Sequence, residues 1–185
     1  MKPTVLMVPG LGGSGPKHWQ SRWEAEQPTW RRVKQADWDR PRRADWVQTL
    51  DEAVRSAGVP VVIAAHSLGC VTVAHWGHQD GRVQGALLVA PTDVEASSSP
   101  TGPEGFAPIP LARLAFPSIV VASSDDPYVS LSRARFFADA WGSAFVEVGS
   151  LGHLNEQSGI GSWVKGRTLL SSLLADRLLK RPDYV

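Results

Sequence analysis

Val61-Val62-Ile63-Ala64-Ala65-His66-Ser67-Leu68-Gly69-Cys70 is the stretch on which the fold turns. Its first five residues form an uninterrupted apolar run, the pattern of a strand covered on both faces. From Leu68 to about Gln79 the chain reads as a helix. A serine at such a strand-to-helix junction sits on a tight turn that lifts its hydroxyl above the C-terminal edge of a sheet. Small residues two positions to either side let strand and helix approach closely. Gly69 is one of them, and Ala65 stands where the G-x-S-x-G pattern has glycine, the mildest departure available. The competing role for Ser67 is a simple helix cap, a common use of serine.

The same alternation continues on both sides. Thr4–Val8 reads as a buried strand followed by a glycine-rich loop, His18–Glu26 as a helix, and Trp30–Val33 as a weaker strand. Asp45–Ala57 is an amphipathic helix, with Trp46, Leu50, Ala53, Val54 and Ala57 at helical spacing and Gly58 just past its end. Val83–Ala90, Ile119–Ala122 and Ala144–Val148 read as strands, Leu131–Ala140 and Lys165–Lys180 as helices. Repeated strand-then-helix order with Val-rich runs predicts an α/β fold, a parallel sheet with helices on both faces, in one domain over residues 1–185. Thr92–Pro117, rich in Ser, Pro and Gly, breaks the rhythm and reads as a functional or mobile loop bordering a shallow pocket.

Charge and cysteine content narrow the function classes. Lys and Arg total 19 against 18 Asp and Glu, which leaves no electrostatic footprint for nucleic acid or an anionic membrane. Arg40, Arg42 and Arg43 read as a solvated helix start. Cys70 is the single cysteine, so neither a disulfide framework nor a multi-cysteine metal site is available. No apolar run approaches the roughly 20 residues of a membrane span, and no secretory pattern precedes the first strand. The expectation is a cytoplasmic protein needing no metal and no cofactor.

Serine is a poor nucleophile at neutral pH and needs a base oriented by a third group. In α/β-hydrolases the partners follow in the order Ser, Asp or Glu, His, each in a loop after a later strand. Ser123-Ser124-Asp125-Asp126-Pro127-Tyr128-Val129 follows one strand and Gly149-Ser150-Leu151-Gly152-His153-Leu154-Asn155 the next. Asp126 has the phase relative to Pro127 and Val129 in which D-P-x-V segments carry the acid; Asp125 is the alternative, and one of the two serves as a turn starter. Among five histidines, His153 has the strand-end setting of a base. His75 and His78 read as packing or surface residues on the helix after the elbow, and His18 belongs to the first helix. His66, beside the nucleophile, should point its side chain away from that of Ser67.

Two backbone N–H groups complete a site for acyl transfer. Leu68 offers one at the helix start, and Leu11 offers the second from Pro9-Gly10-Leu11-Gly12-Gly13-Ser14-Gly15-Pro16-Lys17. That loop also contains G-x-G-x-x-G (Gly10, Gly12, Gly15), with Asp37 about 20 residues on, the dinucleotide fingerprint. Pro9 and Pro16 bracket it and interrupt the turn-into-helix geometry, and a cofactor reading leaves the elbow, Asp126 and His153 unexplained. A phosphate-binding loop fails because Pro16 intrudes before Lys17 and Trp19 stands where Ser or Thr is needed. Most of the eight tryptophans read as core; Trp38 and Trp163 lie beside loops and, with Gly10 and His66, are candidates for the pocket wall.

Pro9–Gln20, His66-Ser67-Leu68-Gly69, Asp125-Asp126-Pro127, and Gly152-His153-Leu154-Asn155 leading to Ser158-Gly159 and Trp163 together resemble the small α/β-hydrolases of the retinoblastoma-binding protein 9 family, particularly the bacterial YdeN-type members. The resemblance spans nearly the whole chain. It implies a three-layer α/β/α sandwich with a six-stranded parallel sheet in the order 2-1-3-4-5-6 and no large lid. It also implies that the second aspartate of the pair is the acid. The retinoblastoma-binding motif is not evident, so no protein partner carries over. The expected activity is hydrolysis of a small ester by Ser67, Asp126 and His153, with a catalytically silent binding protein and lyase or cofactor-free peroxidase chemistry as the rivals.

Overall fold

The structure, a computed structural model, describes residues 2–77, 81–97 and 101–175. In chain order its elements are β1 (Thr4–Val8), α1 (Trp19–Glu26), β2 (Arg31–Arg32), α2 (Arg43–Ser56), β3 (Val61–His66), α3 (Leu68–Trp76), β4 (Val83–Val89), β5 (Ser118–Ala122), α4 (Leu131–Trp141), β6 (Ala144–Glu147) and α5 (Val164–Leu174). The six strands form one sheet in the order β2-β1-β3-β4-β5-β6, every neighbouring pair parallel.

Side-chain alternation divides each central strand between two cores. Leu6, Val8, Val61, Ile63, Ala65, Val120 and Ala122 face one side, with Trp46, Leu50 and Val54 of α2, most of α3, and Ala134, Phe137, Ala138 and Trp141 of α4. Val5, Met7, Val62, Ala64, Ile119 and Val121 face the other, with Trp19 and Trp23 of α1 and Leu170 and Leu173 of α5. Helices therefore cover both faces, the three-layer arrangement that near-continuous apolar strands demand. α3 is apolar nearly all round because α2 packs over its outer side while the sheet covers its inner one.

Several element boundaries differ from those read in the sequence. β2 is confined to Arg31–Arg32, an edge strand with one neighbour and no apolar run of its own. α2 begins at Arg43, two residues earlier than its apolar spacing indicates, because Arg42 is extended and bridges to Glu104. α3 stops at Trp76, where Gly77 turns left-handed (φ 46°); His78 and Gln79 lie outside the described residues, as does the part of the closing helix beyond Ala175. Among its described residues, Thr92–Pro117 is packed inward for much of its length, with Phe106, Ile109, Leu114 and Phe116 buried in the first core, while Thr92 at its start reaches Ser67. His75 and Glu95 fasten it, the His75 Nε2 lying 2.8 Å from the Phe106 carbonyl and a Glu95 carboxylate oxygen accepting from the Ile109 N–H.

Candidate active site

β3 delivers Ser67 to the rim of the sheet in a strained conformation, φ 56° and ψ −125°, a region costly to a residue with a Cβ and common at functional turns. Two close approaches hold it there. A Cβ on Gly69 would lie 2.2 Å from the Val8 carbonyl oxygen, and one on Gly10 would lie 2.7 Å from Ser67 Cβ. The end of β1, the loop after it and the start of α3 thus meet with room for hydrogen only. The Ser67 side chain makes no capping hydrogen bond to α3, although Ser67 stands at its N-cap position. Its Oγ lies instead 2.8 Å from His153 Nε2 and 2.7 Å from Thr92 Oγ1.

The two aspartates have separate partners. Both Asp126 carboxylate oxygens lie 2.9 Å from His153 Nδ1, and the Asp126 side chain is fully buried. Asp125 accepts instead from the Ser123 hydroxyl and the Gly152 N–H, each at 2.7 Å, while Ser123 Oγ accepts from the Leu151 N–H. The Ser123 hydroxyl and the Gly152 N–H hold the Asp125 carboxyl below the usual range. Asp125 therefore ties the loop after β5 to the loop after β6, and Asp126 reaches the imidazole that this tie positions.

The glycine-rich loop lies over Ser67. Leu11 lines the cleft at Ser67, and Leu68 begins α3, where an N–H has no acceptor within its helix. Arg32 grips the loop from β2, donating to the carbonyls of Gly13 and Ser14. Trp38 supports it from behind: its carbonyl accepts from the Gly12 N–H and its indole fills the space beside Gly13. Trp38 is consequently a buttress and does not line the cleft. Trp163 is not at the cleft either; it is buried in the second core between Trp19, Trp23 and the bare backbone of Gly166. Trp163 follows the bulk hydrophobic preference for burial rather than the loop neighbourhood in which it occurs, and Trp38 is partly buried against the first core. Gly10 sits beneath Ser67 as a spacer.

The cleft holds about 320 Å3 and is lined by Leu11, Gly12, Ser14, Gly15, His18, His66, Ser67, Tyr128, His153, Asn155, Glu156 and Gln157. His66 is a cleft residue whose Nε2 lies 2.8 Å from the His153 carbonyl and whose ring is 4.9 Å from that of His153. His18 packs against His66 at 4.7 Å, and its Nδ1 accepts the Gln20 N–H as the cap of α1. Burial, then Arg32 and His153, push the His18 pKa down to about 3. Burial, then His18 and His153, push His66 well down. Both flanking imidazoles are thus neutral, and neither competes for the acid beside His153.

Sequence reasoning missed several contributors. Thr92 follows β4 in no motif; the only available signal is that β4 runs beside β3, so the residues after both must meet. Tyr128, whose ring stands edge-on 4.7 Å from His153, was legible only as an apolar neighbour of Val129. α1 ties the site together through polar atoms that read as ordinary helix composition: Trp19 Nε1 donates to the Leu154 carbonyl, and Gln20 donates to the Ala64 carbonyl while accepting from the Ser14 hydroxyl. Among the described residues no group of three His, Cys, Asp or Glu side chains is arranged to hold a metal ion, and no helix is long and apolar enough to cross a membrane.

Known proteins provide an independent comparison. No curated protein matches the sequence. Among solved structures, the chain is similar to a YdeN-like hydrolase of Pectobacterium atrosepticum, with 31% identity over 97% of this chain and 94% of the other and a TM-score of 0.84. It shares its fold with the ydeN gene product of Bacillus subtilis (21% identity, 94% and 99% coverage, TM-score 0.71). It also shares it with the carboxylesterase CesB of Bacillus subtilis (14%, 93% and 83%, TM-score 0.64). The serine hydrolase family profile matches residues 5–172, from β1 through the elbow and both later loops into α5. The chain belongs to the serine hydrolase family, as a YdeN-type member with the α/β-hydrolase fold.

Proposed function

We propose that the chain is a serine carboxylesterase that cleaves small, short-acyl esters through Ser67, His153 and Asp126 by way of an acyl-enzyme. What carries the reading is the continuous chain of contacts from Asp126 to His153 Nδ1 at 2.9 Å and from His153 Nε2 to Ser67 Oγ at 2.8 Å. Asp126 fixes the tautomer with its proton on Nδ1, which leaves Nε2 free to take the serine proton as Oγ attacks the carbonyl. The Leu11 and Leu68 N–H groups receive the oxyanion, each such donor contributing on the order of 3 kcal/mol to the transition state. His153 then protonates the departing alcohol and activates water for the second step. The choice of short acyl chains follows from the size of the cleft and its polar wall of Ser14, His18, Asn155 and Gln157.

Hydrolysis of p-nitrophenyl esters across acyl lengths, with anilides alongside, tests this. The expected result is turnover of acetate and butyrate that falls by about a thousandfold or more in Ser67→Ala and His153→Ala. Wild-type turnover unchanged by Ser67→Ala would overturn the reading, and so would exclusive turnover of long-chain esters.

A further inference from the structure

Thr92 makes a hydrogen bond for which the two-step scheme has no use as it stands. Thr92 is buried three residues beyond the end of β4, with its hydroxyl 2.7 Å from Ser67 Oγ. Its direction follows from counting protons. An ionised Asp126 can only accept, so His153 Nδ1 carries a proton, and a ring that is to act as the base presents a lone pair at Nε2. The single Ser67 proton points at that lone pair, 2.8 Å away. Ser67 Oγ has no second proton to give, so Thr92 donates and Ser67 accepts.

We infer that Thr92 is a further catalytic residue, which shortens the life of the acyl-enzyme by donating a hydrogen bond to Ser67 Oγ that is weakened on acylation and regained on deacylation. The inference rests on the hydrolase reading above. In the free enzyme Oγ is a hydroxyl oxygen, a good acceptor. In the acyl-enzyme the same atom is an ester oxygen whose lone pair is delocalised into the carbonyl, a poor one. During deacylation the water oxygen bonds to the acyl carbon and its proton passes to His153 Nε2. The carbon–Oγ bond then breaks with its electron pair moving to Oγ, which takes that proton back from Nε2. The leaving oxygen becomes a strong acceptor during this step, and the Thr92 hydroxyl is already within reach of it.

The surroundings hold Thr92 in place. The adjacent Asp93 donates its N–H to the Tyr128 carbonyl at 3.0 Å, and its carboxylate accepts from Arg133 of α4 at 2.9 Å. Glu95 pairs with the same guanidinium. The segment that begins with Thr92 is therefore clamped to the loop after β5 and to α4, and Thr92→Val preserves the side chain's shape while removing its hydroxyl.

Pre-steady-state hydrolysis of p-nitrophenyl acetate by wild type, Thr92→Val, Thr92→Ala and Thr92→Ser separates the two steps, with intact-mass measurement of the acylated fraction at steady state. The expected result is deacylation slowed by about five- to tenfold in Thr92→Val and Thr92→Ala, as loss of one buried donor implies. Acyl-enzyme should accumulate, kcat should fall with kcat/KM within about twofold of wild type, and Thr92→Ser should recover the wild-type rate. Deacylation unchanged in both variants, or a loss that serine does not recover, would overturn the role of Thr92 while leaving the hydrolase reading standing. Wild type that forms no acyl-enzyme would instead remove the hydrolase reading, and this inference with it.

Discussion

Asp125 and Asp126 are adjacent carboxylates with opposite tasks, and the division is set by where a turn points them. Asp126 lies buried on the imidazole of His153, whereas Asp125 bonds Ser123 and the Gly152 N–H. The phase of Asp126 relative to Pro127 was legible in the sequence because a proline restricts the backbone of the residue before it. Thr92 was not legible, since no spacing rule links it to Ser67 and only sheet register brings them together. Asp126→Asn should lower kcat for p-nitrophenyl acetate by about a thousandfold or more, because an amide at this position favours the wrong imidazole tautomer. Asp125→Asn should lower it by about tenfold or less, by loosening the loop. A larger loss at Asp125 would reverse the assignment.

β1, β3 and α3 converge at Gly10, Ser67 and Gly69, and their packing explains which parts of the pattern are strict. Ala65 is accommodated at 0% exposure inside β3, so the usual first glycine of the elbow is dispensable here. Gly69 is not, since its Cβ would penetrate the Val8 carbonyl, a backbone atom fixed by sheet pairing. Gly69→Ala should therefore destabilise the fold by at least about 2 kcal/mol, read as a lowered urea midpoint; a change below about 0.5 kcal/mol would contradict this packing. The strands were legible as Val- and Ile-rich runs because both of their faces are buried. β2 was legible only as the weaker strand Trp30–Val33, because an edge strand of two arginines carries no such run. α1 was legible as a helix, but its function as a brace was hidden in three polar contacts to segments more than 40 residues away or within its own loop.

Across the molecule, two buried imidazoles make stability depend on pH. Unfolded histidines take up protons as pH falls through about 6.5, whereas native His18 stays neutral down to about 3 and native His66 is likewise depressed. The unfolded state then binds more protons, so the stabilisation is complete above about pH 6.5 and is lost as pH drops toward the native values. Each such group contributes a slope of up to about 1.4 kcal/mol per pH unit in that window. His18→Asn keeps an acceptor for the Gln20 N–H and removes the titrating ring. Urea unfolding between pH 7 and 4.5 should show a shallower acid-side decline in this variant, and an identical decline would contradict the neutral, buried state of His18. The layered architecture itself was legible from the order of elements. The inward packing of the described part of Thr92–Pro117 was not, because its Ser-, Pro- and Gly-rich composition conceals Phe106, Ile109, Leu114 and Phe116, which anchor it in the core.

Catalysis by this chain requires Ser67 to be an activated nucleophile, and reaction with an alkyl fluorophosphonate followed by peptide mass spectrometry tests this directly. One adduct per chain is expected, on the peptide containing Ser67, abolished in Ser67→Ala and slowed by about a hundredfold or more in His153→Ala. A wild-type chain that remains unmodified, or an adduct that persists in Ser67→Ala, would contradict it.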